Sequence, residues 1–313
     1  MNLSTLALEM LVMFLLMLLG FYAYKRGIVT DPGVRSISGL VTNICAPAMV
    51  LGAALGSETR LSPAIFARSL GASLVIYAIL IASGYLVCAL LRVEKGNWYS
   101  YLMPTVFGPV GFIGYPVCLA VLGPDSLLYA SVCNLMYNLL VYTYGKQLLA
   151  RAASRDEQAR ETPLHALRRM LNAGTLSSLG ALTIYLVRPQ APAALVETLE
   201  YAGSGTVFLS MLVLGCSLAA SPLRQLVLSG WRAYCYLALR MLVLPIALVL
   251  ILKLFVRDSL MLGTMAILVS LPGGSMPLMF CQELGLEGRD LSRNIVLTTL
   301  VCLGTIPVVC LFL

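Results

Sequence analysis

Phe107-Gly108-Pro109-Val110-Gly111-Phe112-Ile113-Gly114-Tyr115-Pro116 lies inside an apolar run long enough to cross a bilayer, yet it cannot continue as one helix. Proline removes a backbone donor and clashes with the preceding turn, and glycine lowers helical propensity. A second stretch of this kind, Leu271-Pro272-Gly273-Gly274-Ser275-Met276-Pro277, stands 163 residues further on, counted from Pro109 to Pro272. The N–H and C=O groups that such breaks release cannot face lipid, so they persist only where protein or a water-lined cavity surrounds them. Interrupted helices at matching positions in two halves are the sequence sign of a transporter's central substrate site.

Working outward, the chain is 59% apolar and only 11% charged, against about a quarter charged in soluble domains. Its mean hydropathy of +0.90 comes from a succession of apolar runs, not from one anchor. At about 20 residues per crossing, ten spans are expected, near 6–26, 36–56, 66–92, 98–122, 126–149, 172–188, 203–221, 230–256, 259–282 and 292–312. The first lacks a basic region ahead of its apolar stretch, and Lys25-Arg26 follow that stretch, so it does not read as a cleaved signal peptide.

Lysine and arginine fall unevenly between the two sets of loops. Loops after odd-numbered spans carry 15 of the 21, against five (Arg60, Arg68, Arg188, Lys253, Arg257) on the other side. The positive-inside rule then puts the odd-numbered loops in the cytoplasm and both termini outside a cytoplasmic membrane. The net charge of +7 reflects topology and anionic headgroups, not nucleic acid. The partner expected from this charge pattern is membrane lipid, and a homodimer is compatible with it. Residues 151–169, including the lone His165, read as a solvated cytoplasmic linker.

That linker separates a first five-span half, 1–150, from a second, 170–313. Val50-Leu51-Gly52-Ala53-Ala54-Leu55 recurs as Val213-Leu214-Gly215-Cys216-Ser217-Leu218, at the same offset of 163 that relates Pro109 to Pro272. Five spans per half is odd, so the second copy enters from the opposite side. The fold class expected is an all-α polytopic membrane protein of ten helices in a 5+5 inverted repeat.

Half-helices that end at the breaks expose N–H groups suited to a carboxylate and carbonyls suited to a cation or hydroxyl. Pro109, Gly111, Pro116, Pro272, Gly274 and Pro277 would shape the site. Gly108, Gly114, Tyr115, Gly273, Ser275 and Asn138 would give close backbone approach and polar contacts. Asn134 and Asn138, four apart, share a helix face; bridging to another helix is the structural alternative for both, and the favoured one for Asn43. Tyr115 has a packing alternative. Arg240 lies about 15 Å along the eighth span by helical rise. With no acidic partner in a span core, it would face carbonyls, a water cavity or an anion.

Several chemistries lack their residues. The paired intramembrane aspartates of a sodium/proton exchanger are absent, and only Glu9 and Glu283 lie within apolar runs. The nine cysteines are dispersed with no Cys-x-x-Cys and read as small buried apolar residues. Neither a Walker loop nor an HExxH occurs, so no catalytic residue, cofactor or metal site is expected, and an intramembrane enzyme is excluded.

The chain resembles the auxin efflux carrier family, whose bacterial members are similar to permeases for small organic acids such as malate or malonate. The resemblance runs from Leu19-Gly20 and Lys25-Arg26-Gly27 to Thr305-Ile306-Pro307. It is densest over Phe107–Gly123, Asn138, Tyr144-Gly145-Lys146, Met211–Gly215, Leu244-Pro245 and Pro277–Gly285. It implies that spans 4 and 9 cross at unwound centres, and that spans 3–5 and 8–10 move as an elevator against spans 1, 2, 6 and 7. Pro109 departs from the pattern: members commonly carry asparagine there, whose amide could reach a substrate, whereas proline offers only a carbonyl. The expectation is a secondary transporter of small mono- or dicarboxylates, with a non-transporting carboxylate receptor as the competing class.

Overall fold

A computed structural model describes residues 3–57, 62–153, 171–221 and 230–313, and among them every regular element is helical. In chain order these are α1 (Leu3–Lys25), α2 (Asp31–Gly56), α3 (Pro63–Leu90), α4 (Tyr99–Val106), α5 (Tyr115–Leu122), α6 (Ser126–Leu140) and α7 (Lys146–Ala152). They are followed by α8 (Ala173–Val187), α9 (Ala193–Ala220), α10 (Trp231–Leu252), α11 (Ser259–Val269), α12 (Met276–Glu283) and α13 (Arg289–Cys310). The expected spans 98–122 and 259–282 are each interrupted, at 107–109 and at 270–275. Among the described residues six stretches are long and apolar enough to cross a membrane, or seven with the bent α13, while Ala173–Val187 and Ser259–Val269 are shorter apolar helices. The linker from 154 onward, with His165, lies outside the described residues.

Local chemistry explains the helix starts. Ser62 Oγ accepts from Ile65 N at 3.2 Å, Asn172 Oδ1 from Thr175 N at 3.0 Å, and Asp258 Oδ1 from Leu260 N at 2.9 Å. Each satisfies an amide that the first turn leaves without a partner. Three helices widen into a π-turn just ahead of a proline: Val41–Cys45 before Pro47, Val110–Gly114 before Pro116 and Leu239–Val243 before Pro245. A proline cannot donate and clashes with the carbonyl four residues back, and a wider turn relieves both within a continuous path.

The faces report on the surrounding medium. On α1, Leu8, Leu11, Leu15 and Leu19 are exposed while Met10, Met13 and Met17 are buried. A helix apolar on both its packed and its exposed faces is solvated by lipid. α1, α2, α8 and α9 pack against one another, and α3, α4, α6 and α13 form a second group around the breaks, joined to the first chiefly through α6 and α8. Between α1 and α9 the backbones nearly touch: a Cβ on Gly215 would meet the Met17 carbonyl, and one on Gly20 the Leu212 carbonyl. Small residues permit this approach, the main source of helix attraction where lipid is as apolar as the side chains.

Candidate functional site

The first break runs from Phe107 (φ −108°, ψ 90°) through Pro109 (φ −81°, ψ 70°), between the end of α4 and the π-turn that leads into α5. The second runs from Ser270 to Ser275, between α11 and α12. The two unwound segments meet, and Gly274 N donates to Phe107 O at 2.7 Å. An added Cβ would stand 3.1 Å from Pro272 O at Gly108, 2.6 Å from Pro104 Cβ at Gly273 and 3.0 Å from Phe107 O at Gly274. Glycine is required because backbone lies against backbone. Gly273 N is satisfied from a third side by Thr298 Oγ1 of α13, at 3.0 Å.

Pro277 occupies the first turn of α12, where a missing N–H has no intrahelical partner to lose, whereas Pro116 follows the π-turn that accommodates it. Neither the π-turn before α5 nor α12 has a side-chain cap. Pro109 and Gly111 are half-buried and Ser275 is exposed, while Gly108, Gly114, Pro116, Pro272, Gly273, Gly274 and Pro277 are buried. The accessible part of the crossing is thus its two uncapped helix starts, which carry partial positive charge.

Gly114 and Tyr115 turn elsewhere. A Cβ on Gly114 would lie 2.7 Å from Leu268 Cδ2, so this glycine seats α5 against α11. The Tyr115 hydroxyl is buried and shares a 2.8 Å hydrogen bond with Ser178 Oγ of α8. Asn134 Nδ2 donates to the same Ser178 Oγ at 3.0 Å and to Gly174 O at 3.3 Å. Asn138 Nδ2 donates to Asn134 O at 2.8 Å, and its Oδ1 accepts from Asn172 Nδ2 at 3.2 Å. These residues make a polar seam between α6 and α8 alongside the first break. Asn43 bonds only its own helix, donating to Gly39 O at 2.8 Å.

Arg240 is 1% exposed and lies in the π-turn of α10. Its Nε donates to Pro104 O at 3.3 Å, Nη1 to Val269 O at 2.9 Å and Nη2 to Leu271 O at 3.0 Å. One side chain thus holds carbonyls from the ends of both half-helices that run into the crossing. A cavity of about 20 Å³ borders it, lined also by Tyr77, Gly108, Val110 and Leu268, with space for roughly one water.

Sequence reasoning missed Thr298, Asn172, Ser178 and the Pro104 carbonyl. Asn172 carried a usable signal, as a capping residue directly before an apolar run. Thr298 and Ser178 look like any hydroxyl in an apolar helix. Among the described residues no group of three His, Cys, Asp or Glu side chains could hold a metal ion.

Comparison with known proteins identifies the family. A family described as membrane transport protein matches residues 5–310. An uncharacterized transporter of Methanocaldococcus jannaschii is 24% identical over 304 residues, covering 92% of each chain. Matched over nearly its whole length, the chain belongs to the membrane transport protein family, an auxin efflux carrier-like family of transporters and not of enzymes.

Proposed function

We propose that the protein is a secondary transporter of small organic anions, mono- or dicarboxylates, across the cytoplasmic membrane. The observation that carries this reading is the contact between the two breaks through Gly274 N and Phe107 O, 2.7 Å apart. It brings together two helix starts without side-chain caps, each suited to a carboxylate. Pro109, Gly111 and Ser275 offer the accessible contacts there. Small monoacids and diacids fit such a site, because backbone amides recognise the carboxylate and impose little on the rest of the molecule.

The architecture proposed with this function is ten spans in a 5+5 inverted repeat, with both termini outside. Elevator-like alternating access would carry α3–α7 and α10–α13 past α1, α2, α8 and α9. The two packing groups support this division. The seam between α6 and α8 would be the sliding surface, its contacts exchanged during each cycle.

Uptake of labelled acids into proteoliposomes tests the proposal. Accumulation of at least one C3–C4 mono- or dicarboxylate, competed by its unlabelled form, is the expected result. Binding without accumulation would assign the site to a receptor, and no binding of any acid in the panel would remove the carboxylate assignment.

A further inference from the structure

The centre of the crossing holds a permanent charge that the transport reading leaves unused. α4 ends at Val106 and α11 at Val269, so carbonyls of two last turns converge there without helical partners. Such ends carry partial negative charge, and two of them facing each other repel unless a positive group stands between. In this chain the positive group is covalently part of the protein. The Arg240 guanidinium donates to Pro104 O, Val269 O and Leu271 O at 3.3, 2.9 and 3.0 Å. No Asp or Glu occurs in 99–122, 126–153 or 259–282, so carbonyl dipoles stand in for a counter-ion. A buried charge survives only when paired or well hydrogen-bonded. Three of the five guanidinium N–H donors are used in this way, and the adjoining cavity of about 20 Å³ leaves room for a water on the others.

We propose that Arg240 is the resident cation of this crossing: its guanidinium fills the place among the half-helix carbonyls that a coupling alkali cation would otherwise take, and transport is therefore independent of sodium. Unwound carbonyls and helix C-terminal ends are the ligand type from which sodium sites are built in broken-helix transporters. Here those oxygens already accept from a fixed donor, and a second cation would lie a few ångström from a charge that cannot leave. Arginine suits this post because its planar fork reaches several acceptors at once and it stays protonated. The inference rests on the transporter reading, but concerns coupling and not the identity of the substrate.

The test compares wild type, Arg240→Lys and Arg240→Ala in proteoliposomes, with uptake of labelled malonate and malate read in sodium chloride and in choline chloride at equal ionic strength. Wild type is expected to be equal in both salts. Arg240→Lys, which keeps a charge but loses the fork, should be slower and still indifferent to sodium. Arg240→Ala in choline should fall by about ten-fold or more, because the converging carbonyls lose their positive partner, and should recover in part with millimolar guanidinium or with sodium. The same salts are compared on the melting temperature of the detergent-purified protein without substrate. Wild type should not respond, and Arg240→Ala should be stabilised by guanidinium or sodium, since a ligand that binds the folded state raises its stability.

Sodium stimulation of wild-type uptake, sodium stabilisation of the wild-type melt, or full Arg240→Ala uptake in choline would each overturn the proposal. Should Arg240→Ala fail to fold, wild type and Arg240→Lys still decide, because sodium dependence in either counts against a resident cation. Failure of wild type to take up any acid would instead strike the carboxylate reading, and the melting comparison would still decide the role of Arg240.

Discussion

Gly108, Gly114, Gly273 and Gly274 each have a neighbour within about 3.1 Å of where a Cβ would stand. At Gly273 that neighbour is Pro104, whose ring cannot swing aside. Gly273→Ala should therefore push α4 and α11 apart at their crossing, with a cost of about 1–3 kcal/mol typical of overpacking. Uptake should fall at least about ten-fold, since 1.4 kcal/mol at the site already corresponds to that factor. Gly71→Ala, in a position with nothing within 4 Å, is the control and should behave as wild type. A Gly273→Ala protein that transports normally would remove the crossing from the site. The breaks were legible because proline and glycine act on the backbone where they stand. The partners of Arg240 were not: its depth could be counted along the span, but backbone carbonyls 29 to 136 residues away leave no mark in a sequence.

Between elements, two kinds of contact divide the work. α1 and α9 are held by backbone proximity, and α6 and α8 by hydrogen bonds. Gly215→Ala would drive a methyl into the Met17 carbonyl, whereas at Gly205 the nearest atom, Leu209 Cδ1, is 3.7 Å away. Gly215→Ala should lower the melting temperature by several degrees and Gly205→Ala by little, the first being an overpacking change against backbone. Equal melting temperatures would mean that α1 and α9 approach less closely than described. For the seam, a double-mutant cycle of Asn138→Ala and Asn172→Ser separates roles, because serine still caps Thr175 N but should not reach Asn138. A coupling of about 0.6 kcal/mol is the usual size for such intramembrane bonds, and strict additivity would show that the 3.2 Å contact carries no energy. Asn134 and Asn138 were readable as one helix face, but their partners in α8 were not, since a lone hydroxyl or amide in an apolar helix does not say which neighbour it meets. The π-turns escaped notice for a related reason: a proline announces a disturbance, and the surrounding packing decides whether the helix breaks, bends or widens.

At the scale of the whole molecule, the apolar spans set where the chain can lie and the loop charges set which way it faces. By the sequence expectation, 15 of the 21 Lys and Arg residues fall in or at the edges of loops after odd-numbered spans, and Arg240, the one well inside a span, is occupied by carbonyls. It therefore adds nothing to the orientation signal, which stands at 15 against five. Held to the cytoplasmic side by headgroup charge and the cost of translocation, the loop after the fifth span should be inside and the loop after the second outside. Neither position 157 nor position 58 is among the described residues, so the expectation rests on sequence charge alone. The cysteine pattern makes it easy to test: eight of nine are buried, and only Cys235 is exposed. In a Cys235→Ser background, Glu58→Cys should react with a membrane-impermeant maleimide added to intact cells, and Glu157→Cys only after the cells are opened. The reverse pattern would invert the molecule in the membrane and, with it, the side from which the crossing first receives its substrate.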